Sequence, residues 1–224
     1  MIAILLCGGK GERLRPLTLK IPKPLVKIKN KPIVAYILDQ INHFSIQKTY
    51  ITIGYKAEAF DEFFKSNYLD RNIELINNGD VDIIERIKSV INFCHSEDDF
   101  LILYGDTISN VNIDDLLKYS RLNKEIGVIT VWPFQSSFGL VEINEDNIVT
   151  EFKEKPKLDK WINIGYFIFK KEIIEYLFRF QKFEDFLQFC SQNGFFRAYK
   201  HEGKHYTVNT IVELDLVEKN IDNL

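Results

Sequence analysis

The sequence is poor in cysteine and has no long apolar run. Its three cysteines, Cys7, Cys94 and Cys190, are far apart and none belongs to a C-x-x-C pair. Their spacing therefore offers neither a disulfide framework nor a zinc site, and a reducing intracellular compartment is the simplest interpretation. The opening apolar run stops at Gly8, too early for a signal peptide or a spanning helix. We expect a soluble, cytoplasmic protein without a membrane partner.

The sequence also lacks an excess of positive charge. It contains 29 Lys and Arg residues against 32 Asp and Glu residues, which gives a formal net charge of -3. Proteins that coat nucleic acid normally carry a basic excess on one face, so we expect no nucleic-acid partner. The chain has 224 residues, of which 46% are hydrophobic, and it shows no internal repeat or linker. We expect a single domain over residues 1–224.

Strand-length apolar runs alternate with helical patterns in the first half of the chain, which predicts a parallel sheet covered by helices. The predicted strands are Ile2–Leu6, Thr49–Ile53, Ile73–Ile76 and Phe100–Tyr104, and the predicted helices are Pro32–Phe44, Ala57–Lys65 and Ile83–Phe93. The second half has more strands and fewer helices, which predicts a mixed sheet. Its strands are Ile126–Trp132, Leu140–Ile143, Ile148–Phe152, Ile162–Phe169 and Phe196–Tyr199, and its helices are Ile113–Tyr119, Lys171–Phe178, Phe183–Ser191 and Ile211–Asn220.

A glycine-rich loop follows the first predicted strand. The segment CGGKGERL places Gly8, Gly9 and Gly11 at the carboxyl end of a parallel strand, where ligands of open α/β sheets bind. Glycines let backbone N–H groups approach phosphate oxygens, and Lys10 and Arg13 can neutralise phosphate charge. The loop fits neither G-x-G-x-x-G nor the P-loop pattern, which disfavours hydride transfer and P-loop hydrolysis of ATP. A solvated turn is the alternative interpretation.

Two further charged residues are predicted to reach the same edge of the sheet. Lys23 lies between Pro22 and Pro24, which hold the backbone extended and set the direction of the side chain. Asp106 follows the predicted strand Phe100–Tyr104, so its carboxylate is placed beside the glycine loop. A carboxylate there suits a Mg²⁺ ion that also binds substrate phosphates, although Gly-Asp after a strand is also a common turn.

The stretches GGKGERL and PKP together resemble the opening signature of the sugar-phosphate nucleotidyltransferases, G-G-x-G-x-R-L followed by P-K-P. The segments LYGD and VNI look most like the cytidylyltransferase branch of that family. The resemblance implies a Rossmann-like three-layer α/β/α fold with a mostly parallel central mixed sheet. It implies that a nucleoside triphosphate, with CTP slightly favoured, and a sugar 1-phosphate give a nucleotide sugar and pyrophosphate. Mg²⁺ is the implied cofactor, and surface polysaccharide assembly is the implied use of the product.

The resemblance also implies roles for individual residues. The implied catalytic residues are Arg13, Lys23 and Asp106. A nucleotide-binding half, about residues 1–112, is implied to contact the nucleotide through Leu6, Cys7, Gly8, Gly9, Lys10, Gly11, Arg13, Lys23 and Gly105. The sugar-phosphate half, about residues 113–224, is implied to use Gly139, Glu154, Lys155, Asn163 and Gly165. In the E-K-P motif the glutamate contacts sugar hydroxyls and the lysine holds the sugar phosphate; a solvated charge run is the alternative.

The sequence departs from this family in two places. The T-G-G motif that lies against the base is absent, and the residues that stand there include bulky Ile84 and acidic Glu85. Asn209 replaces a second metal-binding aspartate; its amide oxygen can bind Mg²⁺ without contributing charge. Asp106 and Asn209 are therefore the predicted metal ligands. Two alternatives stay open: a weakly active or inactive regulatory subunit that binds a nucleotide sugar, and transfer to a non-sugar phosphate such as phosphocholine.

Two groups of residues have no assigned role in this chemistry. The histidines His201 and His205 lack metal-site spacing, and we expect them to flank a surface strand rather than to bind zinc. Phenylalanines at helical spacing indicate either core packing or a self-association surface, which leaves a homo-oligomer open. They are Phe178, Phe180, Phe183, Phe186 and Phe189.

Overall fold

The computed structural model describes residues 1–44, 46–68, 72–95 and 98–223. Over those residues the chain forms thirteen β-strands and seven α-helices. The strands are β1 Ile2–Leu6, β2 Lys27–Ile28, β3 Lys31–Pro32, β4 Lys48–Ile53, β5 Ile73–Asn77, β6 Phe100–Tyr104, β7 Thr107–Ser109, β8 Gly127–Gln135, β9 Leu140–Ile143, β10 Val149–Lys153, β11 Lys157–Phe169, β12 Phe196–Lys200 and β13 His205–Thr207. The helices are α1 Ile33–Asn42, α2 Ala57–Asn67, α3 Ile83–Cys94, α4 Ile113–Leu122, α5 Lys171–Leu177, α6 Phe183–Gln192 and α7 Ile211–Asn220.

Seven strands form the central sheet in the order β12-β8-β11-β6-β1-β4-β5. Strand β11 is antiparallel to its neighbours β6 and β8, and the other pairs are parallel. The predicted mostly parallel mixed sheet is therefore confirmed. Strands β9 and β10 form a separate antiparallel hairpin, and the short strand β13 pairs with β7 beside the sheet.

Successive side chains of the buried strands point to opposite faces of the sheet, so they contribute to two apolar layers, one on each face. In β1, Ala3 and Leu5 belong to a core with residues of α1, α2, α4 and α7. Ile2 and Ile4 belong to a second core with residues of α3, α5 and α6. Helices therefore cover both faces, which confirms the three-layer α/β/α fold. No helix in the described part of the chain is long and apolar enough to cross a membrane.

The two histidines lie at either end of the turn that joins β12 to β13. His201 follows the edge strand β12, and His205 begins β13, where its side chain is partly buried. His201 is buried, and its Nε2 lies 3.1 Å from the hydroxyl of Ser109. Burial lowers the pKa of His205 to about 4. Among the described residues, no three His, Cys, Asp or Glu side chains form a group that could hold a metal.

The packing of Phe167 in the core can be tested by substitution. Phe167 is fully buried, and its ring centroid lies 5.7 to 5.9 Å from those of Phe183 and Tyr104. Replacing it with alanine should lower the free energy of unfolding by about 3–5 kcal/mol, because the packed rings cannot collapse into the space. Urea denaturation measures the change. Phe138→Ala is the control, because Phe138 is 77% exposed and its loss should cost under about 0.5 kcal/mol. Equal losses in the two variants would contradict this account of the core.

Candidate active site

A cleft of about 500 Å³ opens at the carboxyl ends of β1 and β6. The loops that follow the parallel strands meet at this edge, and Asn209, two residues before α7, lines one side of the cleft. Eight of the nine predicted nucleotide contacts line the cleft: Leu6, Cys7, Gly8, Gly9, Gly11, Arg13, Lys23 and Gly105. Asp106 and Asn209, the two predicted metal ligands, also line it.

The glycine loop presents unpaired backbone donors. The Cys7 N–H still donates to Thr52 O at 2.9 Å, which continues the parallel pairing of β1 with β4. Beyond that point the N–H groups of Gly9, Lys10 and Gly11 donate no hydrogen bond to any residue that the structure describes. Gly11 has a φ of +60°, a left-handed conformation that suits glycine. Successive free N–H groups in such a turn form an anion-binding concavity.

Four polar side chains from distant parts of the sequence meet beside this loop. The Lys23 ammonium donates to Asp106 Oδ2 at 2.6 Å and to Asn209 Oδ1 at 2.8 Å. Arg13 Nη2 donates to the same Asn209 oxygen at 3.0 Å. Lys23 is only 7% exposed, so its charge is held inside the protein by these two acceptors. The structure thus brings together the three predicted catalytic residues and both predicted metal ligands.

The start of α7 fixes the position of Asn209. The N–H groups of Asn209 and Thr210 donate to Glu213 Oε2 at 2.7 and 2.9 Å. The Glu213 N–H donates in return to the Thr210 hydroxyl, which completes a capping box. Since both backbone donors are satisfied by one carboxylate, the amide side chain of Asn209 is directed into the cleft from a fixed helix end.

Lys10 has a different environment from the other predicted phosphate ligands. Its Nζ lies 2.6 Å from Asp80 Oδ2, on the loop between β5 and α3. The hydrogen bond to Asp80 raises the pKa of Lys10 and lowers that of Asp80. Both side chains are well exposed, and an exposed ion pair contributes little stability. Lys10 can therefore exchange this partner for a phosphate at small cost.

Sequence reasoning missed Arg86, which lines the cleft from beneath the glycine loop. It lies on α3, is 4% exposed and donates to the carbonyl oxygens of Ile53, Gly8 and Gly79. The position of Arg86 in the helical pattern is the sequence signal that could have identified it, because it falls on the apolar stripe that includes Ile87 and Val90. A single charged residue in a buried helical stripe indicates a specific partner. The missing T-G-G motif marks the stretch as unusual but does not single out this residue.

Two of the predicted sugar-phosphate residues lie directly behind the cleft wall. Gly165 N–H donates to Asn163 Oδ1 at 2.8 Å, and Gly165 has a φ of +78°. A Cβ at Gly165 would come within 2.4 Å of the ring of Tyr104, which lines the cleft. Burial raises the pKa of Tyr104 to about 12, against the opposing hydrogen bond with Asn163. Glycine is therefore required where β11 passes behind this tyrosine.

The other three predicted sugar-phosphate residues lie around the β9–β10 hairpin. Glu154 and Lys155 are exposed neighbours whose charged atoms are 3.7 Å apart, and Lys155 has a φ of +44°. A Cβ at Gly139 would come within 3.1 Å of Glu154 Oε2, so the turn before β9 packs against the E-K-P segment. None of the five predicted sugar-phosphate residues lines the cleft as the described residues define it. Their role stays a prediction.

Comparison with known proteins finds one matching family model and several similar proteins. The family model described as nucleotidyl transferase matches residues 2–209. The chain is 33% identical over 78% of its length to the bifunctional protein GlmU of Methanocaldococcus jannaschii, of which it spans 41%. It is 28% identical over 98% of its length to the Bacillus subtilis protein named "Probable glucose-1-phosphate cytidylyltransferase", of which it spans 95%. The crystal structure of HddC from Yersinia pseudotuberculosis complexed with GMP-PN shares the fold, with a TM-score of 0.75, 22% identity and coverage of 98% of this chain and 99% of that one.

Proposed function

The chain belongs to the nucleotidyl transferase family, and on this premise we propose that it joins a nucleoside triphosphate to a sugar 1-phosphate and releases pyrophosphate. One observation carries the proposal: Lys23 contacts Asp106 and Asn209 beside the glycine loop, where the N–H groups of Gly9, Lys10 and Gly11 donate no hydrogen bond within the described residues. A site with free amide donors and buried positive charge at a sheet edge suits a polyphosphate. We place the reaction in the cytoplasm and its product in polysaccharide assembly.

The chain needs no covalent intermediate for this transfer. An oxygen of the sugar phosphate attacks the α-phosphorus, a new P–O bond forms, and the bond to the leaving pyrophosphate breaks on the opposite side. The glycine loop holds the triphosphate, and Arg13 and Lys23 compensate the charge that grows on the phosphoryl oxygens. Positioning and charge compensation of this kind account for most phosphoryl-transfer catalysis.

The residues present fit a magnesium ion. The Asp106 carboxylate and the Asn209 amide oxygen both contact one cation, the Lys23 ammonium, so the two oxygens already converge on a single positive charge. Oxygen donors of this type are the ligands that Mg²⁺ prefers, together with substrate phosphates. We propose that Asp106 and Asn209 hold Mg²⁺, which would supply charge neutralisation at the α-phosphate when bound.

On the acceptor side we propose contacts through Gly139, Glu154, Lys155, Asn163 and Gly165. The Glu154 carboxylate can accept hydrogen bonds from vicinal sugar hydroxyls, and the Lys155 ammonium can pair with the sugar phosphate. CTP is our first candidate triphosphate, supported by the LYGD and VNI segments and by the name of the Bacillus subtilis relative. Transfer to phosphocholine is disfavoured because the E-K-P segment suits a hydroxyl-rich acceptor.

A regulatory subunit that binds the nucleotide sugar without turnover is the second candidate. The observation that favours it is the neutral amide of Asn209, which accepts hydrogen bonds from Arg13 and Lys23 where a carboxylate would attract a metal more strongly.

Pyrophosphate release separates the two candidates. The protein would be incubated with Mg²⁺ and CTP, UTP, dTTP, GTP or ATP, each against a panel of sugar 1-phosphates and phosphocholine. The enzyme candidate predicts release with at least one sugar 1-phosphate pair and identifies the base. Nucleotide binding without release in any pair would support the regulatory candidate.

Replacement of Asn209 by aspartate tests the proposed metal site. The new carboxylate would add a negative charge beside Asp106, so the Mg²⁺ concentration for half-maximal activity should fall by roughly tenfold. Initial rates measured against free Mg²⁺ give this value. Asn144→Asp is the control, because Asn144 also accepts hydrogen bonds through its side-chain oxygen but lies in the β9–β10 turn. An unchanged or higher Mg²⁺ requirement in Asn209→Asp would contradict the assignment.

A further inference from the structure

Arg86 is a buried cation that the proposed chemistry does not use. Its Nη1 donates to Ile53 O at 3.1 Å, and its Nη2 donates to Gly8 O at 3.2 Å and to Gly79 O at 2.8 Å. Within the described residues no carboxylate forms a hydrogen bond with it, and burial lowers the pKa of its guanidinium. All its side-chain hydrogen bonds go to neutral carbonyl groups, and Asp80 and Asp82 act on its charge only at longer range. Burying the charge in this way is costly to the fold, which calls for a compensating role.

Two of the three carbonyl groups that Arg86 binds belong to loops that contribute residues to the cleft. In a trans peptide the C=O and the following N–H point in opposite directions, and the peptides after Gly8 and Gly79 are trans. Because both carbonyl oxygens face the guanidinium, the N–H groups of Gly9 and Asp80 face away from it. Neither N–H donates a hydrogen bond to any residue in the described ranges, and both residues line the cleft.

The backbone around the guanidinium leaves no space for other side chains. A Cβ at Gly8 would lie 1.7 Å from Arg86 Nη1, and a Cβ at Gly54 would lie 2.1 Å from Gly79 O. The Tyr55 N–H also donates to Gly8 O at 3.3 Å, so the loops after β1, β4 and β5 are joined at this point. One side chain thus fixes the relative positions of three loops.

We propose that Arg86 is a positioning residue of the nucleotide site. Its guanidinium holds the Gly8–Gly9 and Gly79–Asp80 peptides so that their N–H groups are offered to the bound nucleotide, and its charge lies beneath the phosphates. The inference rests on the proposed function. Arg86 shapes the wall of the cleft at the place where the T-G-G motif of the family is missing. Lysine cannot replace it, because one ammonium lacks the planar fork that reaches three carbonyl groups.

The test compares Arg86→Lys and Arg86→Met with the wild-type protein and with Arg197→Met. Arg197 is an exposed arginine that binds Glu125 and Tyr119 and does not line the cleft. In both Arg86 variants the KM and the Kd of the nucleoside triphosphate should rise about tenfold, while the KM of the sugar 1-phosphate changes less than about twofold. The Kd is measured by isothermal titration calorimetry, which requires no turnover. Thermal melting establishes the folded fraction of each variant.

A double-mutant cycle links the effect to the loop. Gly8→Ala should weaken nucleotide binding in the wild-type background, because its Cβ displaces the guanidinium, and should weaken it much less in Arg86→Ala. Unchanged nucleotide KM and Kd in folded Arg86→Lys, or additive effects in the cycle, would overturn the inference while leaving the proposed function intact. A wild-type protein that binds no nucleoside triphosphate would instead overturn the proposed function. If Arg86→Ala does not fold, Arg86→Lys serves in the same cycle.

Discussion

Replacement of Lys23 by methionine should lower kcat/KM for nucleotidyl transfer by roughly 100- to 1,000-fold. The methionine keeps most of the side-chain length but removes the ammonium that contacts both Asp106 and Asn209. The charge that develops on the phosphoryl oxygens then lacks the cation that the short 3-10 helix Lys23–Leu25 holds in the cleft. Initial-rate kinetics with the preferred triphosphate and sugar 1-phosphate measure the loss.

Lys20→Met is the matched control for this variant. Lys20 lies in the same segment, but its side chain is exposed and it does not line the cleft. Its replacement should change kcat/KM by less than about twofold, since surface substitutions away from such features have small effects. Thermal melting of both variants shows whether the fold is retained. A folded Lys23→Met protein that keeps more than about a tenth of wild-type kcat/KM would contradict the role given to Lys23.

Replacement of Asp106 by asparagine should have an effect of similar size for a different reason. The substitution keeps the shape of the side chain and the contact with Lys23, but it removes the only carboxylate of the proposed metal site. We expect pyrophosphate release to fall by about 1,000-fold, with a Mg²⁺ dependence that does not saturate in the working range. Pyrophosphate release across a Mg²⁺ titration measures both quantities.

Asp114→Asn is the control for the loss of one negative charge. Asp114 is exposed in the first turn of α4, where an aspartate favours the helix only slightly, so activity should stay near the wild-type value. If Asp106→Asn instead retained wild-type activity with unchanged Mg²⁺ dependence, Asp106 would not be a metal ligand, and the account of the site would have to be rebuilt around other oxygens.

Much of the fold follows from the sequence because its central strands are buried on both faces. β1 and β6 are continuous apolar runs, and the predicted bounds Ile2–Leu6 and Phe100–Tyr104 agree with the structure. The sequence pattern does not predict the short strands β7 and β13, because three residues carry no periodicity. Their pairing joins Thr107 to Thr207 and depends on how the whole chain packs.

The start of β11 shows a related limit. The structure begins this strand at Lys157, whereas the sequence pattern predicts a start at Ile162. Residues 157–161 are mostly polar and exposed, and they pair with the far end of β8 beyond the core. Apolar periodicity identifies strand residues through burial, so an exposed extension of a strand gives no such signal.

The part of the site that follows the parallel strands can be predicted from the geometry of the sheet. Loops after parallel strands meet at one edge, and this rule alone brings Asp106 close to the glycine loop. Arg86 cannot be assigned in this way, because its partners are backbone carbonyl groups, and these carry no sequence signature. Glu154 and Lys155 are predicted from a motif, and the structure places them in an exposed segment directly after β10, so their contact with substrate stays a prediction.

The most direct test of nucleotidyl transfer follows the α-phosphate itself. The protein would be incubated with Mg²⁺, a sugar 1-phosphate and a nucleoside triphosphate labelled at the α-phosphorus, and the products separated by chromatography. The account predicts that the label moves into a nucleotide sugar, with an equal amount of pyrophosphate released. If the protein binds the triphosphate but the label stays in the triphosphate for every base and sugar 1-phosphate tried, nucleotidyl transfer is contradicted.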